Sequence, residues 1–115
     1  GPVQMTNHVH WTWEADIKPG MLESFKELVA TWTEIASKDP QTVFSNWTIS
    51  ECATHVRVDQ CFENSSAAMA QFFVNRHWSE LDNFLSPTAM IVCGDIKDDL
   101  EWLRGHGAVF MKPIL

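Results

Sequence analysis

The chain has 115 residues and a mass of 13.1 kDa, and 45% of its residues are hydrophobic. It can therefore fill one hydrophobic core but is small for two domains. Fifteen acidic residues against eight basic ones give a net charge of -7, which disfavours binding to nucleic acid or to an anionic membrane. No apolar run approaches the roughly 20 residues that cross a bilayer, and the N-terminus lacks the layout of a signal peptide, so a cytoplasmic location is expected.

The three cysteines, Cys52, Cys61 and Cys93, are widely spaced and show no zinc-like CxxC or Cys/His pattern. We therefore expect reduced, mostly packing thiols and no metal site. Residues 1–4 are interpreted as a tag remnant or a disordered start, and residues 7–115 as a single domain.

The N-terminal half contains the two clearest periodic patterns. From His8 to Ile17 apolar and polar residues alternate, which predicts a strand with Trp11 and Trp13 on its buried side. After Pro19 and Gly20, apolar residues recur at three- and four-residue spacing until Pro40, which predicts a helix.

The C-terminal half begins with two β-rich runs, 42–50 and 54–62, separated by a short turn, which is the layout of a hairpin. Residues 64–66 offer capping oxygens before a second helix, whose apolar stripe is predicted to run to Leu85 and to stop at Ser86 and Pro87. A fourth strand is predicted over 88–96. A short helix through Arg104 and a last strand over 108–111 are expected to follow.

This order, β-α-β-β-α-β, predicts an α+β fold with the ferredoxin-like split βαβ topology, in which one antiparallel sheet carries both helices on the same face. The other sheet face mixes His10, His55 and Arg57 with apolar residues rather than being uniformly polar. We therefore expect that face to meet the same face of a second copy, giving a homodimer.

Three stretches resemble the antibiotic biosynthesis monooxygenase (ABM) family: Cys61 to Glu63, Ala67 to Ala70, and Asn75 to Trp78. They follow that family's pattern of an acidic residue after the third strand, a helix of small residues and a His-aromatic turn. The ending, from Gly94 to Ile96 and from Gly107 to Phe110, is similar to a branch with an added helix and strand. The resemblance implies a dimeric α+β barrel.

The resemblance also implies a reaction: cofactor-independent monooxygenation of a planar aromatic or quinol-type small molecule, with dioxygen as co-substrate and no cofactor. Two alternatives stay open, a non-catalytic dimeric module that binds a small ligand and a cofactor-free isomerase or cyclase of the same superfamily. Haem degradation is less expected, because Trp47 lies on the second strand where haem-degrading relatives carry a tryptophan on the third.

His77 is the predicted general base, since a neutral imidazole can accept a phenolic proton, and Asn46 is the predicted hydrogen-bond donor to the substrate. The side chains expected to bind the substrate are Trp47, Trp78, Phe73, His55, Arg57 and His10. Each has an ordinary alternative: a surface helix histidine for His77, core packing for the aromatic rings, and an interface network for the strand residues.

Overall fold

The computed structural model describes residues 7–74 and 78–115, and for Phe73, Val74 and Trp78 it describes the backbone only. Its strands and α-helices are β1 (Val9–Ile17), α1 (Leu22–Ser37), β2 (Thr42–Ile49), β3 (His55–Phe62), α2 (Ser65–Val74), β4 (Leu85–Gly94) and β5 (Val109–Met111). Two 3₁₀ helices, Trp78–Asn83 and Asp98–His106, flank β4. Within the described ranges, no helix is long and apolar enough to span a bilayer.

The five strands form one sheet in the order β2-β3-β1-β4-β5, which confirms the predicted α+β, ferredoxin-like arrangement. Strand β1 lies in the middle and pairs antiparallel with β3 and β4, while β5 adds to the edge parallel to β4. In this register Trp11 lies between Gln60 and Val92, and Trp13 between Val58 and Met90. Side chains at these positions therefore share one face of the sheet.

The helices pack on that face, which we call the helix-covered face. One core cluster joins Val9, Trp11 and Phe62 to Ala68 of α2 and Leu103 of the second 3₁₀ helix. A second cluster joins Ala15, Val56 and Leu85 to Phe25 and Trp32 of α1. The opposite side, here the open face, carries the alternate residues of each strand, and no helix in the described ranges packs on it.

The second helix is shorter than predicted. It ends at Val74, and Leu85 begins β4, where it pairs with Ile17, while Phe84 accepts a backbone hydrogen bond from Lys18 through its carbonyl oxygen. Pairing with β1 thus outweighs the helical spacing of the apolar residues. Pro87 is tolerated inside β4 because the register against β1 shifts there, between Glu14 and Ala15.

Both ends of the C-terminal half follow the prediction. Asn64 caps α2, since its Oδ1 accepts a hydrogen bond from the backbone N–H of Ala67 at 2.8 Å. The helix predicted through Arg104 is the second 3₁₀ helix, and Gly107 closes it in the left-handed region, with φ of 86°, before β5.

Candidate ligand-binding cavity

A cavity of about 340 Å³ lies between the helix-covered face and the helices. The sheet contributes residues of β1, β2, β3 and β4 to its wall, and the helical side contributes residues of α1, α2 and both 3₁₀ helices. Its volume is at the lower end of the range of small-molecule sites, so it suits a compact ligand of two or three fused rings.

Tryptophan and phenylalanine rings make up a third of the described residues that border the cavity. Trp11, Trp13, Trp32, Trp47 and Phe72 all border the cavity. Trp32 stacks on Trp47 with ring centroids 5.8 Å apart, and Phe25 and Trp13 meet Trp47 edge-on at 5.4 and 6.3 Å. Trp11 lies 5.6 Å from Phe72 on the other side. Flat, rigid and largely apolar walls of this kind favour a planar aromatic ligand.

Two side-chain amides, those of Gln60 and Gln71, are among the polar groups that border the cavity. Gln60 accepts a hydrogen bond from Trp11 Nε1 at 2.7 Å and donates one through Nε2 to Ser45 Oγ at 3.0 Å. Gln71, which is buried, donates through Nε2 to Asp39 Oδ2 at 2.7 Å. These bonds fix the conformations of both side chains at the cavity wall. A ligand that contacts either amide would therefore cost less side-chain conformational entropy.

The indole N–H of Trp32, unlike the two amides, has no hydrogen-bond partner among the described residues. The residue is 6% exposed, and its Nε1 is buried. Buried donors are nearly always paired, so an unpaired N–H on a ring that borders a cavity is an unusual feature of this site.

Exposed polar residues border the cavity on the helical side: Ser79 and Asp82 from the first 3₁₀ helix and His106 from the second. His106 also meets the ring of Trp102 edge-on at 5.3 Å. Sequence reasoning missed all three, because each belongs to an irregular 3₁₀ segment whose orientation no periodicity predicts. Asp82 and His106 are the described titratable groups that could exchange a proton with a ligand in the cavity.

The structure separates the predicted site residues. Trp47 borders the cavity. Placing Asn46 in the same slot was wrong: adjacent residues of a strand point to opposite faces, and Asn46, opposite Asp59 in the register, is exposed on the open face. His77 lies outside the described residues, and so do the side chains of Phe73 and Trp78.

His10, His55 and Arg57 also lie on the open face, away from the cavity. His55 sits between two carboxylates, with Nδ1 2.7 Å from Asp16 Oδ1 and Nε2 2.8 Å from Glu14 Oε1. These hydrogen bonds raise the pKa of His55 above its ordinary value, and the bond to Asp16 contributes more than the bond to Glu14. The imidazole is therefore held in a charged network on the sheet surface.

Arg57 forms a second pair on the open face. Its Nε and Nη2 donate to Asp59 at 3.0 Å, and Thr12 Oγ1 donates to the same carboxylate at 2.9 Å. The bonds from Arg57 lower the pKa of Asp59 below its ordinary value. Arg57 thus already holds a carboxylate of its own chain, which favours a network role over capture of a substrate carboxylate.

The three thiols are free. Burial raises the pKa of Cys61 and of Cys93, as expected for packing cysteines, but Cys52 is exposed in the β2–β3 turn. Hydrogen bonds with Thr54, then Ser50, lower the pKa of Cys52 to about 7. Across residues 7–74 and 78–115, no three His, Cys, Asp or Glu side chains are grouped as a metal site requires.

No family model matches the chain, and no curated protein matches it in sequence. Solved structures do match in fold. MupZ from Pseudomonas fluorescens superimposes with a TM-score of 0.77 at 20% identity, over 96% of this chain and 93% of that one. A Nitrosomonas europaea protein named as a candidate antibiotic biosynthesis monooxygenase gives 0.67 at 14% identity, over 85% and 98% of the two chains.

SnoaB from Streptomyces nogalater, described as a cofactor-independent oxygenase, gives a TM-score of 0.63 at 13% identity, over 76% of this chain and 91% of that one. At these identities the likeness concerns the fold and leaves the reaction open. The chain has the fold of the ABM-type proteins, with an aromatic cavity between its sheet and its helices.

Proposed function

We propose that the protein binds a planar aromatic or quinol-type molecule in the cavity and oxidises it with dioxygen, as a cofactor-independent monooxygenase. The observation that carries this proposal is the tryptophan-lined cavity, whose stacked Trp32 and Trp47 match the flat faces of such a substrate. The cofactor-independent oxygenase SnoaB shares the fold, which supports the reaction class.

The proposed reaction needs a substrate that supplies its own electrons. In an anthrone, a base removes a proton from the ring methylene, and the electron pair moves onto the carbonyl oxygen as an enolate. The enolate then reduces dioxygen: the methylene carbon becomes a carbonyl, one oxygen atom enters the product and the other leaves as water. The protein has to bind the ring system, accept the proton and stabilise the developing negative charge.

The base is proposed among three residues. His77 is the residue that the sequence indicates, and Asp82 and His106 border the cavity in the described part of the chain. Substituting each one separately, as His77→Ala, Asp82→Asn and His106→Gln, assigns the role. Loss of the base is expected to slow turnover by roughly 100-fold or more while ligand binding persists.

Oxygen uptake tests the proposal. Metal-stripped protein is mixed with anthrones, hydroquinones or haem in an oxygen electrode, and products are identified by mass spectrometry. Uptake with stoichiometric quinone formation is expected, and it should fall in Trp47→Ala but persist in Thr48→Ala, a neighbouring substitution on the open face. Ligand binding without uptake for any substrate would instead favour the binding module or the isomerase.

We also propose that a second copy covers the open face. Phe44, Ile91, Val109 and Met111 lie on this face and are 42 to 54% exposed, which is unusual for large apolar residues on a sheet. The cross-strand register places Val109 beside Ile91 and Met111 beside Cys93, so the apolar residues of β4 and β5 form one patch at that edge of the sheet, while Phe44 lies on β2 at the other edge. The paired charges of His55 and Arg57 lie on the same face.

Light scattering after size-exclusion chromatography tests the dimer. Wild-type protein is expected to elute with the mass of two chains, and Ile91→Glu with the mass of one, because a charge in an apolar interface is costly. Ile49→Glu is the matched control, since Ile49 is similarly exposed but lies on the helix-covered side of β2. A monomeric wild-type protein, or a dimeric Ile91→Glu variant, contradicts the proposed interface.

A further inference from the structure

The side-chain amide of Gln60 connects three strands of the sheet at the cavity wall. Its Oε1 accepts a hydrogen bond from Trp11 Nε1 of β1 at 2.7 Å, and its Nε2 donates one to Ser45 Oγ of β2 at 3.0 Å. An indole N–H is a donor and never an acceptor, so the amide atom that faces Trp11 is the oxygen. The amide nitrogen therefore lies on the side of β2, and the chain itself fixes the orientation of the group.

These two bonds use half of the hydrogen-bonding capacity of the amide. A carboxamide has two N–H groups and two acceptor positions on its oxygen. The described residues engage one N–H and one acceptor position of Gln60. The second N–H and the second acceptor position are left for a ligand.

Gln60 is accessible from the cavity. The residue borders the cavity and is half-buried, whereas Trp11 beside it is 4% exposed. Strand β3 lies between β2 and β1, and Gln60 stands on the helix-covered face, so its exposed surface does not lie at a sheet edge. That surface therefore opens onto the space between the sheet and the helices. The amide is the part of the side chain furthest from the sheet and so lies nearest to this space.

The other amide at the wall is less suited to contact a ligand. Gln71 is 5% exposed, and its Nε2 donates to the carboxylate of Asp39 at 2.7 Å. Burial leaves little of Gln71 for a ligand to touch, and the charge-assisted bond ties the group to the turn before β2. Gln60 combines a fixed orientation with accessible surface, which is what selective recognition of a polar group requires.

We infer that Gln60 orients the ligand by hydrogen bonding to a hydroxyl group on its ring system, so that the cavity selects planar phenols over hydrocarbons of the same shape. This inference rests on the proposed function, because it concerns the same cavity. A phenolic hydroxyl both accepts and donates, which matches the remaining N–H and acceptor position of the amide. The oxygen-bearing end of the ring system then lies over β3. In the proposed reaction, the same N–H stabilises the oxyanion that forms when the substrate loses its proton.

Two ligands of nearly equal shape test this without any turnover. In 2-methylnaphthalene a methyl group replaces the hydroxyl of 2-naphthol, and the ring system is the same. In a ¹⁵N–¹H spectrum of the wild-type protein, one assigned side-chain N–H signal of Gln60 is expected to move further downfield with 2-naphthol than with 2-methylnaphthalene. The two ligands have the same rings and similar ring-current shifts, so the difference reports the hydrogen bond. The indole signals of Trp13 and Trp47 report occupancy of the cavity for both ligands.

Affinities measured by calorimetry give the second readout. Gln60→Met keeps the length of the side chain but removes the amide, and it is expected to bind 2-naphthol roughly tenfold more weakly while its affinity for 2-methylnaphthalene stays within about twofold. A residue that merely supports the cavity wall would weaken both ligands alike. Thr48→Ala, a substitution on the open face, is expected to change neither affinity.

The outcomes separate this inference from the proposed function. If 2-naphthol occupies the cavity without a specific response of the Gln60 signals, or if Gln60→Met weakens both ligands equally, the orienting role is overturned while the cavity remains a ligand site. If neither ligand perturbs any cavity tryptophan, both the orienting role and the proposed aromatic site are overturned. Should Gln60→Met fail to fold, the wild-type spectra still decide.

Discussion

Trp32 of α1 and Trp47 of β2 stack with ring centroids 5.8 Å apart, and both rings also border the cavity. Trp32 belongs to the second core cluster and Trp47 packs against it, so the two rings are part of both the core and the cavity wall. Stability and binding are consequently coupled at these two residues, and variants here have to be judged on both properties.

The first prediction concerns the stability that this stack provides. Trp47→Ala removes the ring contacts with Trp32, Phe25 and Trp13 and is expected to lower the free energy of unfolding by about 3 kcal/mol. Urea denaturation followed by circular dichroism measures the change. Thr48→Ala, on the exposed side of the same strand, should cost less than about 0.5 kcal/mol. Equal losses in the two variants would show that the ring does not contribute as described.

A pH-dependent contribution is predicted for His55. The pKa of His55 is raised in the folded state by its bonds to Asp16 and Glu14, above the value of about 6.5 expected in the unfolded chain. Its contribution to stability is then complete below about pH 6.5, provided the carboxylates remain ionised, and is lost as the pH rises through the folded-state pKa. Because the three side chains are partly exposed, we expect at most about 1 kcal/mol.

Thermal melting of His55→Gln beside the wild type at pH 5.5 and pH 8.5 measures this effect. The difference in melting temperature between the two proteins should be larger at pH 5.5. His10→Gln serves as the control on the same face of the sheet, because His10 pairs with no carboxylate in the described ranges. A difference that is the same at both pH values, or larger at pH 8.5, would contradict the network.

Much of the sheet could be predicted because its signal is local. Strict alternation in β1 correctly placed Trp11 and Trp13 toward the helices, and the same alternation placed Trp47 opposite Asn46. The misassignment of Asn46 to the cavity came from grouping it with its neighbour despite that alternation. The prediction that the second helix continues beyond Val74 to Leu85 was wrong for another reason. Apolar residues such as Phe84 and Leu85 fit the pattern of either a helix or a strand, and pairing with β1 decides between the two.

The cavity itself was less predictable. Its helical side depends on where two 3₁₀ segments place Asp82 and His106, and neither segment has a periodic pattern that fixes its orientation. The unpaired donor of Trp32 is likewise a property of packing, since the sequence shows only an apolar residue at helical spacing. Residue type suggested an aromatic site, but the three-dimensional arrangement was needed to identify its polar contacts.

Cys52 is predicted to be the most reactive thiol at neutral pH. Its pKa of about 7 and its exposure in the β2–β3 turn favour the thiolate, whereas burial raises the pKa of Cys61 and of Cys93. Alkylation with iodoacetamide, followed by peptide mass spectrometry, should therefore modify Cys52 first, with a half-maximal rate near pH 7. Thr54→Val removes the main stabilising hydrogen bond and should move that midpoint upward; an unchanged midpoint would show that this bond is not its cause.

The last prediction concerns Gly94, where β4 ends beside the start of β1. Its φ of +107° is one that side chains rarely adopt, and a Cβ there would lie 2.1 Å from the carbonyl oxygen of His8. Since that oxygen belongs to the backbone, the contact cannot be relieved by a rotamer change, and the paired ends of β1 and β4 would have to separate. Gly94→Ala is therefore expected to lower the free energy of unfolding by about 3 kcal/mol or more.

Alanine substitutions at two other glycines distinguish the cost of backbone strain from the cost of steric overlap. Gly20 has a φ of +77° but open space around its would-be Cβ, so Gly20→Ala should cost only the conformational strain of about 1 kcal/mol. Gly105 has neither a positive φ nor a close neighbour, so Gly105→Ala should be neutral or slightly stabilising. Urea denaturation of the three variants should rank them in this order. If Gly94→Ala were no worse than Gly20→Ala, the close approach of the two strands at His8 would not be a constraint on the fold.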